Sequence, residues 1–262
     1  MQCHWWRRQG ERDLEWRSRQ IPLGFRDQKS ARRPLPMHFA KRVGFGLIAA
    51  AALNGPAHTQ DVDQSLRLYA VHVVRVPKEN WTGTGVYLGN GLVLTAGHVA
   101  GSFWNTIHVE IAGQDLATEV IKRGQFSDVD LALVSIDDTK LPVSLRLRRM
   151  SICKQAPWPG EDVIVAIPEG IARSHVISPL RLPNDLAPKF RTAISDVATT
   201  GNSGSGVFDE SRKCLLGIIS AKIQQSGFKQ ENGHPVRETR DVAKYFVPAP
   251  TIAEFIPPED RF

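Results

Sequence analysis

The sequence predicts an all-β protein, a sandwich or a pair of barrels, and three observations carry that reading. Short runs rich in β-branched and aromatic residues recur at roughly 8–14-residue intervals from residue 66 onward. No long helical period of apolar residues separates them. Between two of the runs stands Asn90-Gly91, the strongest short-range hairpin signal a sequence offers.

The elements follow in order. Leu68 to Val76 reads as the first strand, then Thr84 to Gly89 and Leu92 to Ala96 as a hairpin about Asn90-Gly91. Further strands are expected at 106–111, 116–122, 130–136, 162–167, 174–180, 190–195, 215–221 and 242–247. Around 140–160 the runs stop, and Pro142, Pro157 and Pro159 mark a joint between halves at about 66–138 and 160–248. The one convincing helix is terminal, about 250–256, ending before Pro257-Pro258.

Composition is that of a globular protein, with 42% apolar and 23% charged residues. The formal charge of +6 suggests nucleic acid until it is located. Residues 1–59 hold 11 Lys/Arg against 4 Asp/Glu, and residues 60–262 hold 22 against 23. The body is therefore near neutral and carries no nucleic-acid footprint. The basic leader has its own order: Met37, Lys41 and Arg42, an apolar run from Val43 to Leu53, then Asn54-Gly55-Pro56-Ala57. A positive start, a short apolar run and a small-residue exit describe a secretory signal peptide at 37–59, cleaved after Ala57 or Thr59. The run is too short for the ~20 residues that span a bilayer. Residues 1–36, rich in Arg and Trp, read as an upstream or disordered extension, leaving 60–262 as the mature domain.

Cys3 lies in the leader, so the domain carries Cys153 and Cys214 alone. In an exported chain such a pair reads as one disulfide, worth roughly 4 kcal/mol by chain entropy; the alternative is two buried thiols. The histidines of the domain are scattered and no metal-ligand spacing occurs, so neither metal nor cofactor is expected.

Three motifs carry chemistry: Leu94-Thr95-Ala96-Gly97-His98-Val99, Asp128-Val129-Asp130-Leu131-Ala132-Leu133, and Thr200-Gly201-Asn202-Ser203-Gly204-Ser205-Gly206. In this order they resemble the chymotrypsin/trypsin-like serine proteases, particularly the compact bacterial branch, over about residues 66–256. The resemblance implies two six-stranded antiparallel β-barrels with a short C-terminal helix. It also implies a triad of His98, Asp130 and Ser203. A serine hydroxyl is a poor nucleophile at neutral pH, so His98 would take its proton while Asp130 fixes the imidazole tautomer. Asp128 competes with Asp130 for that role, although Asp130 is the match. Gly201 and Ser203 would supply oxyanion-hole amides, and Ser220 a hydroxyl to the aspartate. The pocket would be lined by Val197, Ala198, Ser220, Ala221 and Lys222. Val197 and Ala198 suggest a small or medium apolar residue before the scissile bond, whereas Lys222 at the rim could draw an acid.

The expected protein is thus a secreted or periplasmic serine endopeptidase. It would act as a monomer on polypeptide, with no nucleic-acid partner and no membrane partner once the signal is removed. The rival reading is a catalytically silent protease fold that binds peptides.

Overall fold

Asn90 and Gly91 both adopt positive φ, +51° and +74°, as a tight two-residue hairpin turn demands. They join β2 (Thr82–Gly89) to β3 (Leu92–Thr95). This computed structural model describes residues 63–76, 82–101, 106–125, 127–195, 203–231 and 234–260. Residues 1–59, read from the sequence as an extension and a signal peptide, lie outside the described residues, as do Val197, Ala198 and Gly201 of the expected site.

The hairpin belongs to a closed antiparallel barrel. Its other strands are β1 (Ala70–Val76), β4 (Thr106–Ile111), β5 (Gln114–Arg123) and β6 (Ala132–Ile136), in the order β1-β2-β3-β6-β5-β4. A second closed antiparallel barrel holds β7 (Asp162–Ile167), β8 (Gly170–Ile177), β9 (Ala193–Ile194), β10 (Gly206–Asp209), β11 (Leu215–Glu231) and β12 (His234–Pro248). Read from β7, its order is β7-β8-β9-β12-β11-β10, the connectivity of the first barrel over again.

Alternation along each strand divides the core into layers. Val71, Val73, Tyr87, Val93, Ile107 and Val109 fill the first barrel. Val163, Val165, Val176, Ile194, Val207, Leu216 and Phe246 fill the second. The opposite faces of the same strands meet between the barrels, where Val86, Leu88, Leu94, Leu133, Ile164, Phe208, Ile218 and Val247 pack together. Strands at that seam are buried on both faces, which is why Leu92-Val93-Leu94 and Val207-Phe208 read as continuous apolar runs.

The joint between barrels contains one short helix, α2 (Val143–Arg146), after the turn helix α1 (Gly97–Ala100) of the first barrel. It is tied down by an isolated bridge of Ile152 to Leu215 and by the Cys153–Cys214 disulfide. The terminal helix, α3 (Ala249–Phe255), puts Ile252 and Phe255 into the inter-barrel layer.

Several expected elements are displaced. Leu68 and Tyr69 belong to a 3-10 turn, Leu66–Tyr69, that sinks Leu66 between the barrels, so β1 begins at Ala70. The strand expected at 190–195 keeps only Ala193–Ile194. β10 begins at Gly206, where the glycine-rich third motif ends, and is not among the expected strands. The strands expected at 215–221 and 242–247 are longer, continuing past Ile223 as an exposed two-stranded ribbon in which Ser226 faces Thr239 and Phe228 faces Arg237. Beyond Ile223 neither face is buried, so no periodicity announces it.

Candidate active site

β3 ends at Thr95 and the chain enters the single turn of α1, which carries His98. A one-turn helix satisfies few of its carbonyls internally; here Gly101 N–H reaches the His98 carbonyl at 3.2 Å. Two arginines take them: Arg75 donates to the carbonyls of Val99 and His98, and Arg123 to those of Gly101 and Ala100. Asp130, two residues before β6 and only 3% exposed, meets the same turn. Its Oδ1 accepts the His98 backbone N–H at 2.8 Å and its Oδ2 lies 2.7 Å from His98 Nδ1. An ionised carboxylate only accepts, so the shared proton sits on Nδ1 and Nε2 is left as the basic nitrogen. Asp128 stays exposed in the preceding turn.

Ser203 comes from the second barrel. Its carbonyl accepts from the Thr84 amide at 2.9 Å and the Thr84 hydroxyl at 3.1 Å, across the seam. Thr84 also contacts Ser205 Oγ at 2.7 Å, while Thr95 donates to the Thr84 carbonyl at 2.6 Å. Gly204 between them has φ +90°, and a Cβ there would lie 1.8 Å from the Thr84 carbonyl oxygen, so only glycine fits. The Ser203 hydroxyl makes a long hydrogen bond, 3.3 Å, to the carbonyl of Ser220. Ser220, on β11 and buried, turns its own hydroxyl the other way and donates to Asp130 Oδ2 at 2.6 Å.

Burial acts to raise the Asp130 pKa. The hydrogen bonds from the His98 ring and Ser220, the imidazole charge and the His98 amide outweigh it, so the carboxyl sits below its ordinary value. The arrangement can hold a base in one tautomer beside a serine.

Of the expected pocket, Ser220 meets this centre. Lys222 is exposed and bonded to Asp241 Oδ2 at 3.0 Å. Sequence reading missed the positioning residues Arg75, Arg123 and Thr84, and it did not foresee the burial of Lys244 on β12. The available signal for Lys244 was a lone charge inside the strand run Val242-Ala243-Lys244-Tyr245-Phe246-Val247.

Two closed six-stranded barrels with a histidine–aspartate pair on one and a serine on the other define the chymotrypsin-like architecture. Residues 83–218, about half of the chain, match the family model of the trypsin-like peptidase domain, and the chain belongs to that family. Its fold is similar to that of the Rv3671c protease of M. tuberculosis in its inactive form: 17% identity, TM-score 0.52, covering 77% of this chain and 94% of that one. The HtrA-type protease AlgW with tripeptide is 18% identical with a TM-score of 0.51, over 72% of this chain and 58% of its own. The serine endoprotease from Yersinia pestis is 20% identical with a TM-score of 0.50, over 76% and 65%. This chain thus spans less than two thirds of the latter two, and at these identities the likeness is one of fold. Comparison with curated proteins finds no match.

Proposed function

We propose that the chain is a serine endopeptidase, secreted or periplasmic, that hydrolyses peptide bonds through an acyl-enzyme on Ser203. The observation that carries the reading is the Asp130 carboxylate, which accepts from His98 Nδ1 and Ser220 Oγ together at the seam that holds Ser203. In the proposed reaction the Ser203 hydroxyl leaves the Ser220 carbonyl, turns about χ1 and gives its proton to His98 Nε2 as Oγ attacks the scissile carbonyl. The oxyanion is met by the amides of Ser203 and Gly201, each worth about 3 kcal/mol in the transition state. His98 then protonates the leaving amine, and water repeats the sequence on the acyl-enzyme. Asp130 stays ionised throughout and stabilises the imidazolium. Export rests on the leader, and the disulfide is compatible with an oxidising compartment.

A fluorophosphonate probe tests the reading because it labels an activated serine and not merely the fold. It should label the wild-type protein and spare both Ser203→Ala and His98→Ala. Peptide hydrolysis by Ser203→Ala at the wild-type rate would overturn the assignment of the nucleophile. An unlabelled wild-type protein would favour the binding module.

A further inference from the structure

We propose that the groove between the inter-barrel joint and the terminal helix α3 binds an amphiphilic anion, an alkyl chain ending in a carboxylate, as in a medium-chain fatty acid. The site uses none of the residues placed around Ser203, and the inference does not depend on the peptidase reading.

The groove holds about 450 Å³, within the roughly 300–1,000 Å³ typical of small-molecule sites. Its floor is aliphatic: Leu88 from β2, Met150 and Ile152 from the joint, Ala253 from α3 and Ile256 just after it. Leu88, Met150 and Ile256 also belong to the layer that packs the two barrels together. α3 turns Ile252 and Phe255 into that layer and presents the small side chain of Ala253 to the groove. The wall formed by the joint is fixed by backbone pairing. Met150 N–H donates to the Leu88 carbonyl at 2.9 Å, Leu215 N–H to the Ser151 carbonyl at 2.8 Å, and Cys153 N–H to the Leu215 carbonyl at 3.0 Å. The disulfide then pins Cys153 to Cys214. A preformed apolar slot takes a ligand with little ordering of its own walls. No aromatic ring lines it among the described residues, so it suits a flexible aliphatic chain, to which Met150 can adapt.

The sign of the headgroup follows from where the charges lie. Residues 139–160 carry Lys140, Arg146, Arg148, Arg149 and Lys154 and no acid, whereas the rest of the 60–262 domain holds 17 Lys/Arg against 23 Asp/Glu. The joint is therefore a cationic segment in an otherwise acidic domain. Two of its cations, Arg149 and Lys154, line the groove. Both are exposed while Leu88, Met150 and Ile256 are buried, so the charges stand at the mouth and the apolar groups below. Arg149 Nη1 donates to the carbonyls of Arg146 and Arg148 at 2.6 and 2.7 Å, which holds the guanidinium against the end of α2. Lys154 joins no ion pair among the described residues. The one acid in the lining, Asp260, opposes an anion and leaves the lining with a net single positive charge. A carboxylate at the mouth meets complementary charge while its chain lies on the aliphatic floor.

The test is calorimetry and thermal melting of the full chain carrying Ser203→Ala, with straight-chain acids as probes below their micelle-forming concentrations. Decanoate should bind and raise the melting temperature, as a ligand of the folded state does. Affinity should rise about threefold to fourfold per methylene from hexanoate to decanoate. Decanol should bind about threefold to tenfold more weakly than decanoate. Ala253→Leu fills the slot with a residue of similar helix propensity and should weaken decanoate at least about tenfold. Lys154→Glu, on an exposed side chain, should cost roughly tenfold, and Asp260→Asn should tighten binding about twofold. Melting curves of the ligand-free variants that match the parent show that the losses are not unfolding. Absence of decanoate binding, an affinity indifferent to chain length, equal binding of decanol, or undiminished binding in Ala253→Leu overturns the inference. So does binding to anionic phospholipid vesicles that decanoate fails to displace, which would assign this face to a membrane surface.

Discussion

Replacing Lys244 by methionine should make the protein more stable, and the size and pH dependence of the gain follow from the structure. The ammonium falls from 10.5 in the unfolded chain to about 8 in the folded one, through burial first and the Lys222 charge second. At about 1.4 kcal/mol per unit, a charged Lys244 costs about 3 kcal/mol at pH 7. The folded value lies below the unfolded one, so between pH 8 and 10.5 the unfolded chain binds more protons and wild-type stability rises with pH through that window. The cost is whole at pH 7, less than about 1 kcal/mol at pH 10, and gone above that. Methionine keeps the length of the stem and carries no charge. Lys244→Met in a Ser203→Ala background, which prevents self-digestion, should therefore melt roughly 6–12 °C above its parent at pH 7, for a domain of about 200 residues. At pH 10 the gap should shrink to a few degrees. Urea or thermal unfolding of the two proteins at both pH values is the assay. A methionine variant no more stable than its parent at pH 7, or a gap that does not narrow at pH 10, refutes the reasoning.

Three other perturbations follow from distances at the seam and the joint. Ser220→Ala removes the 2.6 Å donor to Asp130, which should raise that carboxyl's pKa and lower kcat/KM by about ten- to a hundredfold; the acid limb of the pH–rate profile should move to higher pH, and an unmoved limb counts against the role. Gly204→Ala places a methyl in the Thr84 carbonyl at positive φ and should abolish probe labelling together with the cooperative melt of the docked barrels, whereas full labelling would mean that the loop can yield. Cys153→Ser with Cys214→Ser opens a loop of 61 residues and should cost about 4 kcal/mol in urea unfolding, and a loss below about 1 kcal/mol would show the joint is held by packing alone.

Much of the fold was legible because one face of most strands is buried and the other is not. The hairpin at Asn90-Gly91 needed only two residues to declare itself, because positive φ selects them. His98, Asp130 and Ser203 could be nominated from the sequence because each proposed role demands a particular residue in a particular local setting. The ribbon beyond Ile223 was not, since its stability comes from cross-strand pairing of polar residues and leaves no burial pattern. β10 hid because the glycines that aim Ser203 also mask the strand that follows. The repeated connectivity of the two barrels leaves no repeat in the residues, because only topology is shared. Lys244 was least legible of all. Its burial depends on β9, some fifty residues earlier, and on β11, so no local window contains the reason.

Thr84 takes no part in any proposed chemical step, yet its amide and hydroxyl grip the carbonyl of a serine 119 positions later. The histidine and aspartate are complete within the first barrel, while the serine and the hydroxyl that steadies the aspartate come from the second. A ribosome or a translocation pore delivers these halves one after the other. Every partial chain, and every chain whose barrels have not docked, holds a base without a nucleophile. The enzyme proposed here is thus latent by topology: it is armed by the same event that closes its last hydrophobic layer, and a nascent copy cannot cut its neighbours.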